Sequence, residues 1–132
     1  MAVPSVRVEI SPGEMIDKIT ILEIKAERMT DAKKLANVQA ELASLSADRD
    51  AAIPASAELD ECAAALKKVN KTLWEIEDEI RACERGKDFG PRFVELARAV
   101  YLNNDERAAI KRRINEMLGA TIVEEKSYQP YR

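Results

Sequence analysis

The stretch LDECAAALKKVNKTLWEIEDEIRAC, residues 59–83, decides the fold. Leu59, Cys62, Leu66, Val69, Leu73, Ile76, Ile80 and Cys83 follow one another at alternating spacings of three and four. That is the unbroken heptad stripe of a coiled-coil-like helix that buries one long face. The outer positions are mostly Glu, Asp and Lys, with Lys67, Lys71 and Glu75 one turn apart. With Ser56 as N-cap the helix covers residues 56–84 and spans about 40 Å at 1.5 Å per residue. Cys62 and Cys83 would then lie about 31 Å apart, too far for a disulfide with each other. Both read as small core thiols.

Outward from this helix the chain divides by its turn chemistry. Upstream, Leu35, Val38, Leu42 and Leu45 mark a helix over residues 31–50, opened by Asp31 and closed near Pro54. The short connection, Ala51 to Ser56, predicts that these two helices form a long antiparallel hairpin. Downstream, Gly86, Gly90 and Pro91 punctuate a loop. Phe93, Leu96, Ala97, Val100 and Tyr101 then mark a helix over 91–102. Asn103 with Glu106 three residues on reads as a capping box that starts a separate helix, 103–118. Gly119 is placed to cap that helix in the left-handed conformation. Residues 119–132 form a tail without helical pattern. The 132 residues suit one domain, and the fold expected is all-α, a helical bundle preceded by a short extended segment over residues 1–10. In that segment Val6, Val8 and Ile10 alternate with Arg7 and Glu9, as in a short strand or an extended arm. Thr121, Ile122 and Val123, or a second copy, could pair with it.

Residues 11–29 form the remaining helix. Ser11 is the N-cap, Pro12 sits at N1 and Glu14 at N3, a capping box with proline where its missing N–H costs nothing. At 100° per residue Met15, Ile19, Leu22, Ala26 and Met29 share one face, while Ile21 and Ile24 lie on the far side. A helix that is apolar on two faces is covered on both, by arm, tail or a second subunit. Its polar residues Asp17, Lys18, Thr20 and Glu23 then sit in a confined cluster, where a carboxylate must find partners. Arg107, Lys111 and Arg113 are available for that.

Composition removes several function classes. The chain has 24 acidic and 21 basic residues and 5% aromatics, which does not suit a nucleic-acid binder. It has no histidine, so the imidazole base, the Ser-His-Asp triad and His-containing metal sites are excluded. No metal and no cofactor is expected, since Asp17 and Glu23 are far apart in azimuth and no acid interrupts another helix's apolar stripe. Gly86 and Gly90 lack the lysine and flanks of a phosphate loop. There is no apolar run long enough to span a membrane and no signal-peptide pattern, so the expected location is the cytoplasm. One basic grouping stands out, Arg98, Tyr101, Asn104, Arg107 and Lys111. At the start of a helix over 103–118 it could hold a phosphate or carboxylate.

The stretches SPGEMIDKITILEIKAER and YLNNDERAAIKRRINEMLGATIVEEKSY are similar to the terminal signatures of a family of small bacterial proteins of unknown function. The resemblance covers nearly the whole chain and implies no catalytic residue. In some bacteria it implies a setting among genes for surface polysaccharides. Two functions are therefore expected. One is a non-catalytic helical protein that self-associates as a homodimer or binds a protein partner, with Ile21, Ile24, Tyr128 and Tyr131 as interface candidates. The alternative is a binding module or small enzyme for an anionic metabolite, a sugar nucleotide or phosphorylated sugar. A helical mutase that holds a dicarboxylate between basic groups is a more remote third.

Overall fold

The computed structural model describes residues 2–132. The fold is an all-α four-helix bundle: α1 Pro12–Arg28, α2 Ala32–Ala52, α3 Ala57–Arg85 and α4 Pro91–Met117. Three starts follow the capping residues read from the sequence. The side chains of Ser11, Asp31 and Ser56 accept from the backbone N–H of Glu14, Lys34 and Leu59 at 3.2, 2.9 and 3.1 Å. The ends of α1, α2 and α3 fall within two residues of those expected, the ordinary uncertainty of helix termini.

Two expectations about connectivity are corrected. The segments 91–102 and 103–118 are one helix, α4. Asn103 does not cap it. Its side-chain amide donates back to the Ala99 carbonyl at 2.8 Å, which leaves the backbone ladder intact through the expected break. Leu96 and Ile114, at either end of the helix, are both buried, and packing along the whole length outweighs the local capping preference. The long antiparallel hairpin is made by α3 and α4, joined over Gly86–Gly90, while α2 packs on α1 alone. The heptad stripe of α3 has Leu59, Cys62, Leu66, Val69 and Ile76 buried and is shared between α1 and α4. The link from Met29 to Asp31 is short enough to turn the single stripe of α2 straight back onto α1.

The consequence is that α1 is the hub. It packs against each of the other three helices and buries Ile16, Asp17, Ile19, Thr20, Leu22 and Ile24. Ile24 is only 1% exposed, so its cover comes from its own chain and not from a second subunit. Ile21 on the same side is half-buried. Below it Ile16 joins Leu59, Cys62, Leu66 and Ile114 in the apolar core, closed by Ile53, Ile110, Met117 and Leu118.

The N-terminal end of α1 meets α4 backbone to backbone. The Gly13 N–H donates to Asn115 Oδ1 at 2.7 Å, and a Cβ at Gly13 would stand 2.5 Å from the Lys111 carbonyl oxygen. Only glycine permits that approach. At the far end of α4, Gly119 takes φ +64°, and Ala120 N–H reaches Asn115 O at 2.9 Å, the Schellman closure expected of it. After α3 the left-handed position is occupied instead by Lys87, φ +52°, one residue beyond Gly86.

Residues 2–10 carry neither strand nor helix, and residues 2–9 are exposed while Ile10 is half-buried. The tail does not pair with them. It runs back along α4, where Tyr131 stacks edge-on against Tyr101 at 4.9 Å and donates its hydroxyl to Asp105.

Gly13→Ala is expected to destabilise the fold by about 1–3 kcal/mol, since the contact is with backbone and cannot be relieved by a rotamer change. Lys87→Gly is expected to stabilise it by about 1 kcal/mol by releasing a left-handed non-glycine residue. Urea unfolding of the two variants beside the parent chain measures both.

Candidate functional site

The polar cluster expected on α1 forms around Asp17, which is 1% exposed. Arg107 of α4 clamps the carboxylate with two hydrogen bonds, Nε to Oδ1 at 2.9 Å and Nη2 to Oδ2 at 2.5 Å. Asn70 of α3 donates its amide to Oδ1 at 2.9 Å and to Thr20 Oγ1 at 3.0 Å. Thr20 in turn donates to the Asp17 carbonyl at 2.8 Å. Three helices thus meet on one carboxylate, and among the described residues no buried side-chain polar atom is left without a partner.

Lys111 lies one turn beyond Arg107 and is equally committed. It is 7% exposed, and its ammonium sits 2.7 Å from Glu14, 3.0 Å from Glu124 of the tail and 3.9 Å from Asp17. Glu14 therefore makes only half of the expected capping box. Its N–H is bonded by Ser11, but its carboxylate turns to Lys111 and more weakly to Lys18 at 3.7 Å. The charges are balanced as well as close. Burial pushes the Asp17 carboxyl up, but the hydrogen bonds from Arg107 and Asn70 and the two nearby cations outweigh it and hold its pKa below 3.8. The Asp17 hydrogen bond does most to raise Arg107. Burial pulls Lys111 down, and its bonds to Glu14 and Glu124 reverse this and hold it above 10.5.

The other sequence candidates are placed as follows. Lys18 is exposed at the rim, and Glu23 is half-buried and makes no ion pair among the described residues. In the basic grouping, Arg107 and Lys111 share a face as expected, but both are turned to the acids of α1, Lys111 buried and Arg107 half-buried. Both lie inside α4, so no free helix N–H groups stand beside them. Asn104 Oδ1 accepts a long bond from Arg107 at 3.5 Å. Arg98 is exposed and outside the cluster, and Tyr101 is held by Tyr131. Tyr128 is exposed, with Lys126 6.0 Å from its ring. The sequence reading missed Asn70, Asn115 and Glu124. Asn70 had a signal: it follows Val69 and sits one turn from Leu66 and Leu73, so it is a polar residue on the edge of the apolar stripe.

Chemically the arrangement is a closed ion network. Its carboxylate is ionised, fully hydrogen-bonded and out of solvent, so it is not poised to take up a proton near neutrality. Among the described residues no group of three or more His, Cys, Asp or Glu side chains is placed to hold a metal ion. No helix of the described residues is long and apolar enough to cross a membrane.

A family model described as "Family of unknown function (DUF6165)" matches residues 6–131. The chain belongs to that family. The match spans both terminal signatures from which the resemblance was drawn, and with them the whole Asp17 network. Comparisons with curated proteins and with solved structures give no match.

Removing one partner of a buried ion pair leaves the other charge uncompensated, at a cost of about 3–5 kcal/mol. Asp17→Asn is expected to lose that much in denaturant unfolding. The pH dependence follows from the two shifts. The Asp17 contribution is full above pH 3.8 and is lost as pH falls through its lower folded-state pKa. The Lys111 contribution is full below pH 10.5 and is lost as pH rises through its higher folded-state pKa. Thermal melts should therefore drop below pH 3.8 in the parent and less steeply in Asp17→Asn. A melt of Asp17→Asn equal to the parent at neutral pH contradicts the assignment.

Proposed function

We propose that this protein is a non-catalytic association module whose first partner is a second copy of itself. The observation that carries the reading is the arm. Val3, Val6 and Val8 are 71%, 77% and 73% exposed on a segment without helix or strand, while among the described residues the interior of the bundle is satisfied without it. An alternating aliphatic segment with no partner is a surface to be covered.

Magnitudes favour a reciprocal arrangement. Burying one valine side chain contributes about 1.5–3 kcal/mol, so a single arm with three valines supplies less than ~10 kcal/mol. Association costs about 4–15 kcal/mol in lost translational and rotational freedom. Two arms exchanged around a two-fold axis double the apolar gain for the same cost.

The anionic-metabolite reading rests on a cleft between α4 and the tail, lined in part by Lys111, Arg112, Asn115 and Lys126. It is weakened by the chain's own acids. Glu124 pairs with Lys111 at 3.0 Å and Glu125 with Arg112 at 3.5 Å, so an incoming phosphate must displace two carboxylates.

Light scattering on the full chain is expected to give twice the 14.8 kDa chain mass at high micromolar concentration. Val6→Ser with Val8→Ser should return it to a single chain. A parent chain that stays at the single-chain mass throughout the micromolar range contradicts self-association. In parallel, a thermal shift produced by a sugar phosphate or sugar nucleotide, and abolished by Arg112→Ala with Lys126→Ala, would favour the metabolite reading.

A further inference from the structure

Apart from the arm, an apolar groove lies open between α1 and α3. Ile21 of α1 and Leu73 and Trp74 of α3 are all half-buried and line a groove floored by Ile24. Its polar lining is Glu77, Asp78 and Arg81 of α3, with Asn70 and Arg107 of the Asp17 network. Trp74 is the chain's single tryptophan, and large aromatics that are partly desolvated are the commonest anchors of protein interfaces.

We infer that this groove is the seat for the arm of a second copy of the chain, an inference that rests on the self-association reading above. Two features fit the arm to the groove. The first is pattern: in an extended segment Val6 and Val8 point to one face and Arg7 and Glu9 to the other, so the aliphatics meet Leu73 and Trp74 while the charged groups face away from the groove floor and reach its rim through the length of their own and the rim's side chains. The second is charge spacing. Arg7 and Glu9 are two residues apart, about 6.8 Å along an extended chain. Asp78 and Arg81 are three apart on a helix, and Glu77 and Arg81 four apart, about 4.5 and 6 Å along the axis. An arm laid parallel to α3 sets Arg7 against the Glu77–Asp78 acids and Glu9 against Arg81. Asp78 makes no ion pair among the described residues. The existing Glu77–Arg81 bridge, 3.0 Å long, joins side chains that are 61% and 78% exposed, so it offers little resistance to exchange. The chain's own arm does not fill the groove: it leaves the bundle at Ser11, ten residues or about 15 Å along α1 from Ile21, and its valines stand in solvent.

Trp74 makes the test direct. Tryptophan emission and light scattering are measured on the same full-chain samples over a dilution series. Emission is expected to shift to shorter wavelength as the mass doubles, and both changes to vanish in Val6→Ser with Val8→Ser. Arg7→Glu should weaken association at least tenfold, and Asp78→Lys added to the same chain should recover most of it. A dimer that forms while Trp74 emission stays constant overturns this seat and leaves self-association standing. A single-chain mass at every concentration overturns both. An emission shift that depends on the valines but not on concentration means the chain's own arm fills the groove, and overturns the exchange.

Discussion

One carboxylate organises this bundle. Asp17 is withdrawn from water, and a charge in that position is tolerated only if it is paired and hydrogen-bonded. The guanidinium of Arg107 supplies a bidentate partner and Asn70 a third hydrogen bond. Because the partners come from α4 and α3, satisfying Asp17 fixes the register of both helices against α1. Apolar packing alone would tolerate a sliding error of one turn with little change in buried area. The ion network does not, since such a shift would strand a buried charge.

The other contacts of α1 agree with that register. Gly13 brings its N-terminal end against the Lys111 carbonyl, and Glu14 reaches Lys111 one turn above Asp17. At the other end, Glu27 and Arg28 bind Lys67 at 2.6 Å and Glu75 at 3.1 Å. These last pairs are exposed and contribute little stability individually. The tail joins the same system through Glu124, so the segment most lacking in secondary structure is tied to the most buried lysine.

Helix positions were legible from the sequence because caps and periodicity are local. Ser11, Asp31, Ser56 and Gly119 act through residues two to four away, and the α3 stripe is visible without knowing what covers it. Pairing between helices was not legible, because a stripe says that a face is buried and not by whom. That is why α2 was assigned to α3 when it belongs on α1. The Asn103 signal failed for a related reason: a capping residue offers the chain a way to start a helix, and tertiary packing of Leu96 and Ile114 decides whether it is used. In the site, Asp17 and Thr20 are buried and Arg107 and Lys111 pair with α1's acids, whereas Lys18 and Arg113, expected in the same cluster, are exposed, and Glu23 and Arg113 make no ion pair among the described residues. Asn70 was hidden in a stripe read only for its apolar members, and Glu124 in a tail with no pattern.

The network also shapes what the protein can do. Arg107 and Lys111 are occupied by the chain's own acids, while among the described residues the valines of the arm are exposed and Trp74 is half-buried at the edge of a groove. That division rests on Asp17 and Arg107 being coupled to each other and not independently solvated. A double-mutant cycle with Asp17→Asn, Arg107→Gln and the combined variant, read by urea unfolding at neutral pH, measures the coupling directly. The account predicts a coupling energy of about 2–3 kcal/mol. Additive effects, with a coupling below about 0.5 kcal/mol, would contradict it.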